Sequence, residues 1–388
     1  MFLKSLQTLA DKHLHIVSFD IPLPANYGGA IDVFYKLKAF AAEGVKIHLH
    51  CYEYGRKPVK ELEEYCVSVN YYKRKTTRQR LLSIKPYIVV TRNSDELIGN
   101  LLKDNHPILF EGLHCCYYLD DKRLAGRTKI VRTHNIEHDY YLNLARVERD
   151  VFKKYYFYNE SYKLQRFEKV LNYANGVAAI SKNDVNYFAE KYRNVNHVSA
   201  FHPNEKVEIK PGKGEFVLYH GSLEVGENNE AALFLINEVF ADLKIPLVIA
   251  GNKPSKELKE AVAKHNNITL KSDSSTDEIY QLIADAQINI LPTFQSTGIK
   301  LKLLAALYSG RHCVVNSFMV ENTGLEEICT VANTSQEMQE TVKKLFKETF
   351  SEAEIENREK ILLSGFGNRE NILKLIKVIY LPQPVAAG

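Results

Sequence analysis

The six cysteines of this 388-residue chain include no CxxC pair, and the sequence holds no low-complexity block, no internal repeat and no unbroken apolar run of about 18 residues. Each absence removes a class of protein. Without a long apolar run there is no candidate membrane span, and Lys4, Asp11 and Lys12 interrupt the opening residues where a secretory signal needs a continuous apolar stretch. Several of the cysteines (Cys51, Cys66, Cys115, Cys116, Cys313, Cys329) fall in apolar runs that read as strands, so reduced, buried thiols are expected rather than disulfides. A net charge of +4 is too small for the whole molecule to bind polyanions, and no RNP, zinc-finger or helix-turn-helix pattern is present, so nucleic acid is not an expected partner. The expected location is the cytoplasm, with contact at most to the inner face of the plasma membrane.

What is present is ordinary globular material, 45% hydrophobic and 25% charged, and long enough for two domains. Short β-branched runs alternate with longer amphipathic segments, the pattern of parallel sheets covered by helices. Candidate strands in the first half are 15–19, 47–51, 88–91, 108–110, 130–133 and 177–181. A polar stretch, 197–215, with Pro203, Pro211, Gly212 and Gly214, reads as a linker, after which candidate strands resume at 216–219, 247–250, 268–270, 288–291, 313–315 and 330–332. The expected division is 1–203 and 204–366, with a last helix within 367–388 packing back on the first domain by analogy with related folds.

In open α/β sheets ligands bind beyond the carboxyl ends of the strands, so function is sought in the strand-to-helix loops. The stretch INILPTFQSTGIKLKLLAALYSGRHCVVN gives a buried strand, a loop through Pro292 and Gly298, and a helix closed by Gly310. Thr297, Gly298 and Ile299 would present unpaired amides and the positive end of the helix dipole to a diphosphate, and Lys300 and Lys302 would add full charge. In SFDIPLPANYGGAIDVFYKL, Gly28 and Gly29 lie between strand and helix, where two glycines permit torsions closed to other residues; Asp32 reads as a helix N-terminal charge. In KIVRTHNIEHDYY, His134 sits where a strand ends, with Arg132, Asn135 and Glu137 beside it. The residues that follow read as one long helix whose stripe, Tyr141, Leu144, Val147, Val151, Tyr155, Tyr158 and Tyr162, packs into a core. HNIEH also matches the H-x-x-E-H zinc signature, with His134 and His138 as ligands, although the preceding β-branched strand argues against a helical zinc site. The segment 71–86 carries six basic residues (Lys73, Arg74, Lys75, Arg78, Arg80, Lys85), no acid, and the apolar Leu81, Leu82 and Ile84, a mixture suited to an anionic membrane surface.

GIKLKLLAALYSGRHCVV resembles the segment G-I-x-x-K-x-L-E-A-M-A-x-G-x-P-V-V of the GT-B glycosyltransferases of family four, the group 1 glycosyl transferases. Gly298, Lys302, Leu304, Ala306, Gly310, Val314 and Val315 carry the match. The resemblance implies an α/β fold of two tandem doubly wound Rossmann-like domains facing each other across a cleft. It implies a transferase acting on a nucleotide-diphosphate sugar and a glycan or lipid-linked acceptor, with retention and without a metal or other cofactor, in cell-surface polysaccharide or glycoconjugate synthesis. Lys302 would stabilise the leaving diphosphate, and His134 would donate a hydrogen bond to the transferred sugar. Gly28, Gly29, Gly221, Ser222, Lys253, Thr297, Gly298, Ile299, Lys300 and Glu326 would line the donor site; Arg132, Asn135 and Glu137 would lie on the acceptor side.

The sequence departs from the family in two places. Thr297 and Ala305 stand where many members have glutamates, the second of which holds the ribose; Glu326 or Glu327 is the substitute expected here. The turn at Gly221 and Ser222 carries Glu224 and Glu227 where many members have an Arg and a Lys. These departures leave two further readings open: a GT-B module without catalysis that serves as a scaffold, and a sugar-nucleotide epimerase.

Overall fold

A computed structural model describes residues 12–148, 150–294, 301–321 and 323–381. The chain divides into two units, Met1–Pro203 with Phe366–Gly388, and Asn204–Gly365.

Seven parallel strands form the first unit: β1 (His13–Ser18), β2 (Lys46–Glu53), β3 (Ser68–Lys73), β4 (Ile108–Glu111), β5 (Lys129–Thr133), β6 (Gly176–Ala179) and β7 (Val195–His197), in the order β3-β2-β1-β4-β5-β6-β7. The central strands read HLHIVS, ILFE and KIVRT and are buried almost throughout, as a sheet covered on both faces requires. Helix α1 (Gly28–Ala42) buries Ala30, Val33, Leu37 and Phe40 at helical spacing against β1 and β2. Helices α2 (Glu137–Val147) and α3 (Val151–Phe167) follow β5 and pack on each other. The helix Asn368–Tyr380 belongs to this unit and places Ile372, Leu375, Ile376 and Ile379 in the core that α1 covers.

The second unit has six parallel strands: β8 (Val217–His220), β9 (Leu247–Ala250), β10 (Ile268–Lys271), β11 (Ile288–Leu291), β12 (His312–Val315) and β13 (Thr330–Val331), in the order β10-β9-β8-β11-β12-β13. Its helices include α4 (Gly226–Phe234) after β8 and α5 (Leu301–Ser309) after β11. Both sheets are doubly wound and reverse strand order once, between β1 and β4 and between β8 and β11, where the loops at the carboxyl ends diverge.

Three expectations fail. The run 88–91 is a short helix, Tyr87–Val90, started by Pro86, whose carbonyl accepts from the amides of Val89 and Val90. Strands β3 and β7 escaped notice because these edge segments, SVNYYK and VNH, lack an apolar run. The long helix is two helices, and the break resets the phase of the stripe. Tyr141 packs on the core, whereas Val147, Val151, Tyr155, Tyr158 and Tyr162 face solvent, together with Phe152 at 87% exposure. The buried side of α3 consists of Glu160, Ser161 and Leu164.

All six cysteines are free thiols. No helix among the described residues is long and apolar enough to cross a membrane.

Candidate active site

The reversal point of the first sheet gathers a buried charge network. Glu111 ends β4, Asp32 and Lys36 occupy successive turns of α1, and Arg132 lies in β5; all four are buried. Lys36 Nζ donates to Asp32 Oδ2 at 2.7 Å and to Glu111 Oε2 at 3.0 Å. Arg132 Nη2 donates to Asp32 Oδ1 at 2.9 Å and to the Ser199 carbonyl at 2.9 Å, and the Phe201 amide donates to Asp32 Oδ1 at 2.8 Å. Burial works against the charge on Asp32, but Arg132 and Lys36 outweigh it and hold the carboxyl well below the usual carboxylate range. Asp32 is thus the hub of a structural network and not a helix-end charge. Arg132 is spent on it, so its expected acceptor-side place is withdrawn.

His134 follows β5 with its side chain 12% exposed, and its Nε2 lies 3.1 Å from Glu111 Oε2. Glu111 already accepts from Lys36, so the imidazole supplies the proton of this bond. Phe19 packs edge-on against His134 with ring centroids 5.4 Å apart. Gly29 makes room for Phe19, because a Cβ there would lie 2.7 Å from Phe19 Cζ. Neither Gly28 nor Gly29 adopts a positive φ. The pair opens α1 in ordinary helical geometry, and at Gly29 what matters is small size, not unusual torsions. The loop between β1 and α1 is tied by Asp20, which accepts from Tyr27 Oη at 2.8 Å, and by Arg56, which donates to the Pro24 carbonyl at 2.7 Å.

Asn135 is half-buried beside His134. Glu137 is buried at the start of α2, and burial, then Asp184, push its carboxyl up to about 8 against the pull of Arg92. His134 and His138 enter separate networks, the latter with its Nδ1 3.3 Å from Glu168 and its Nε2 3.5 Å from Asp139, so the HNIEH zinc arrangement does not form.

In the second unit, Gly221 and Ser222 follow β8 and lead into α4, whose first turn has no side-chain cap. Lys302 Nζ donates to Asn228 Oδ1 at 2.9 Å and lies 5.2 Å from the centre of the Tyr219 ring. Asn228 Nδ2 in turn donates to the Ser222 carbonyl at 3.0 Å. His220, buried beneath, is held down to about 3 by burial and then by Lys302, so it is neutral. Gly251 lets the loop after β9 pass the loop after β8, since a Cβ there would lie 1.9 Å from the Gly221 carbonyl oxygen. Lys253, in the left-handed region at φ 54°, reaches Glu224 at 2.8 Å on the surface. Gly221, Ser222, Lys253 and Lys302 thus share one loop cluster with Asn228, which the sequence reading missed. Glu326 is exposed at the start of a short helix between β12 and β13, and no described contact ties it to this cluster. Ala305 is buried against Leu218 and Val248. Thr297, Gly298, Ile299 and Lys300 lie outside the described residues.

Residues 214–348 match the family model described as glycosyl transferases group 1. A Klebsiella pneumoniae protein described as an uncharacterized 44.6 kDa protein in the cps region is 28% identical over 329 residues, covering 80% of this chain and 84% of its own. Among solved structures, a point mutant of S. aureus TarM in complex with fondaparinux, alpha-GlcNAc-glycerol and UDP superposes with a TM-score of 0.68 at 10% identity, covering 95% of this chain and 100% of that one. Anabaena HepE in complex with UDP and glucose gives 0.65 at 12% identity, covering 95% and 99%. Identities this low establish architecture alone. With the strand orders above, the chain has the GT-B fold, and its residues 214–348 are similar to the glycosyl transferases group 1 family.

Proposed function

We propose that the chain moves a sugar from a nucleotide-diphosphate donor to a glycan or lipid-linked acceptor, with retention, in the synthesis of a cell-surface polysaccharide. The observation that carries this reading is Lys302, placed by Asn228 at the reversal point of the sheet that matches the family, beside the uncapped first turn of α4. A fixed ammonium and fixed amide dipoles stabilise a departing diphosphate without reorganising during the reaction. His134, held by Glu111, forms a hydrogen bond with a hydroxyl of the transferred sugar and fixes its orientation. The cps-region relative supports a place in polysaccharide synthesis.

The reaction in this reading uses no metal. Asp32, Glu111 and His134 offer ligand atoms within 4.8 Å of one another, but Lys36 and Arg132 already balance both carboxylates. A divalent ion there would have to displace a buried ammonium from two carboxylates.

The chain works at the cytoplasmic membrane surface. Leu82 and Ile84, at 89% and 90% exposure, adjoin the exposed aromatic side of α3, because Lys163 of that helix donates to the Leu81 carbonyl at 2.9 Å. Lys73, Lys75 and Arg78 are exposed, whereas Arg74, Arg80 and Lys85 are engaged with Thr91, the Val90 carbonyl and the rings of Tyr117 and Phe167. Exposed apolar groups next to uncompensated cations are suited to an anionic bilayer holding a lipid-linked acceptor.

The test is a thermal-shift screen of UDP, GDP, ADP, CMP and their sugar conjugates on wild type and Lys302→Ala, followed by turnover with the donor found. One nucleotide diphosphate should raise the wild-type melting temperature by mass action, and Lys302→Ala should lower turnover roughly 100- to 1000-fold. Silence toward every nucleotide favours the scaffold, turnover of donor without acceptor favours an epimerase, and unchanged turnover in the variant removes Lys302 from the chemistry.

A further inference from the structure

The amino-terminal ends of β1 and β2 carry the same tripeptide, His-Leu-His, at His13–His15 and His48–His50. Successive side chains of a strand alternate between faces, so each tripeptide puts both histidines on one face. The parallel register sets His15 opposite His48 and Val17 opposite His50. His106, in the loop before β4, adds a fifth ring: it stacks on His13 at 4.5 Å between centroids and lies 6.0 Å from His48.

The rings form two layers. In the inner one His15 and His50 are buried, with 2.8 Å between Nδ1 and Nε2; Asp104 lies 3.0 Å from His15 Nε2, and Tyr72 Oη lies 2.7 Å from His50 Nδ1. In the outer layer His13, His48 and His106 are half-buried, and each offers one nitrogen within 4.8 Å of the other two. His13 Nδ1 faces His48 Nε2 at 2.9 Å, and the opposite nitrogen of His48, Nδ1, lies 2.9 Å from Ser68 Oγ. Asp104 accepts from the His106 amide at 2.9 Å and pairs with Arg127 at 3.2 Å, fixing the loop that carries the third ring.

We propose that His13, His48 and His106 bind a divalent transition metal that prefers imidazole nitrogen, zinc being the probe of choice. Zinc–nitrogen bonds of about 2.1 Å in a tetrahedron place ligand nitrogens about 3.4 Å apart. The facing nitrogens of His13 and His48 therefore need to open by only about half an ångström as the ion replaces the proton between them. His106, on its loop, turns its ring out of the stack to become the third ligand, and water takes the fourth position. Ser68 supplies the outer-shell hydrogen bond that sets the orientation of a ligating imidazole. The site joins the starts of β1, β2 and β4, whereas His134 follows the carboxyl end of β5. Its occupancy stabilises the first unit and leaves turnover unchanged.

The full chain, stripped with EDTA, is titrated with zinc by calorimetry and thermal shift, with magnesium as the control. One saturable equivalent of zinc and a rise in melting temperature of several degrees are expected, with no response to magnesium. His48→Ala and His106→Ala should each weaken zinc binding at least tenfold, Ser68→Ala roughly tenfold, and His134→Ala should leave it intact. Cobalt bound to wild type should show the visible bands of a nitrogen-rich tetrahedral site, which reports ligation without any variant. Absence of saturable zinc binding overturns the proposal and leaves a stack held by shared protons. Binding lost in His134→Ala but kept in His106→Ala overturns it in favour of the Asp32–Glu111–His134 group.

Discussion

Phe19 meets His134 edge to face, their planes 89° apart, and the space that holds its ring exists because residue 29 has no side chain. Gly29→Ala forces Phe19 to shift from its place beside the imidazole while removing no polar contact. Turnover is expected to fall roughly tenfold to a hundredfold, the range for displacements of about 1 Å at a reacting centre, with the circular dichroism spectrum unchanged. A variant as active as wild type means that Phe19 does not set the position of His134.

Glu137 links pH to stability. Its folded pKa of about 8 exceeds the unfolded value of about 4.3. Between those values the folded chain keeps a proton that the unfolded chain has lost, so stability declines as pH rises through the window, by at most about 1.4 kcal/mol per pH unit. Glu137→Gln removes this slope, and urea denaturation should show the variant gaining on wild type from about pH 5 to about pH 8. Parallel curves for the two proteins exclude the linkage.

Arg132 and Asp32 are a buried pair whose loss leaves an uncompensated charge. Arg132→Met should cost about 3–5 kcal/mol in urea unfolding, with Lys36 keeping part of the balance. Because the Asp32 carboxyl is held below its unfolded value, its contribution is present above about pH 4 and lost as pH falls further. The difference between wild type and variant should therefore narrow in acid.

Replacing Leu82, Ile84 and Phe152 together by Ser should abolish sedimentation with vesicles containing phosphatidylglycerol, and turnover of a soluble acceptor analogue should persist. Lys75→Glu with Arg78→Glu should weaken binding at least tenfold at low salt, at about 1 kcal/mol per basic residue. Vesicle binding that survives both sets of changes rules out this face.

The sheet centres were legible because buried parallel strands write themselves as short β-branched runs between turn residues, as in ILFE and LVIA. The edges were not, since β3 and β7 are held by one neighbour and keep polar residues, while the run at 88–91 is too short to show a period. His134 was visible at the end of its strand. Glu111 and Lys36 were not, for their partnership spans 75 residues and exists only once α1 lies beside β4. Asn228 gave no signal of its own, because its role comes from Lys302 reaching it across 74 positions. The two histidine tripeptides were in plain view, but only the pairing of β1 with β2 makes them one cluster.

The helix Asn368–Tyr380 closes a core begun more than 300 positions earlier: the Tyr380 hydroxyl donates to the His13 carbonyl at 2.9 Å, and four aliphatic side chains fill the groove beside α1. The order of synthesis therefore differs from the order of completion. The second unit, contiguous in the chain, can mature on the ribosome while the first waits for its final piece. Ending translation at position 365 would leave the earlier-made half with its hydrophobic interior open, and the truncated product would be the one that chaperones and proteases detect.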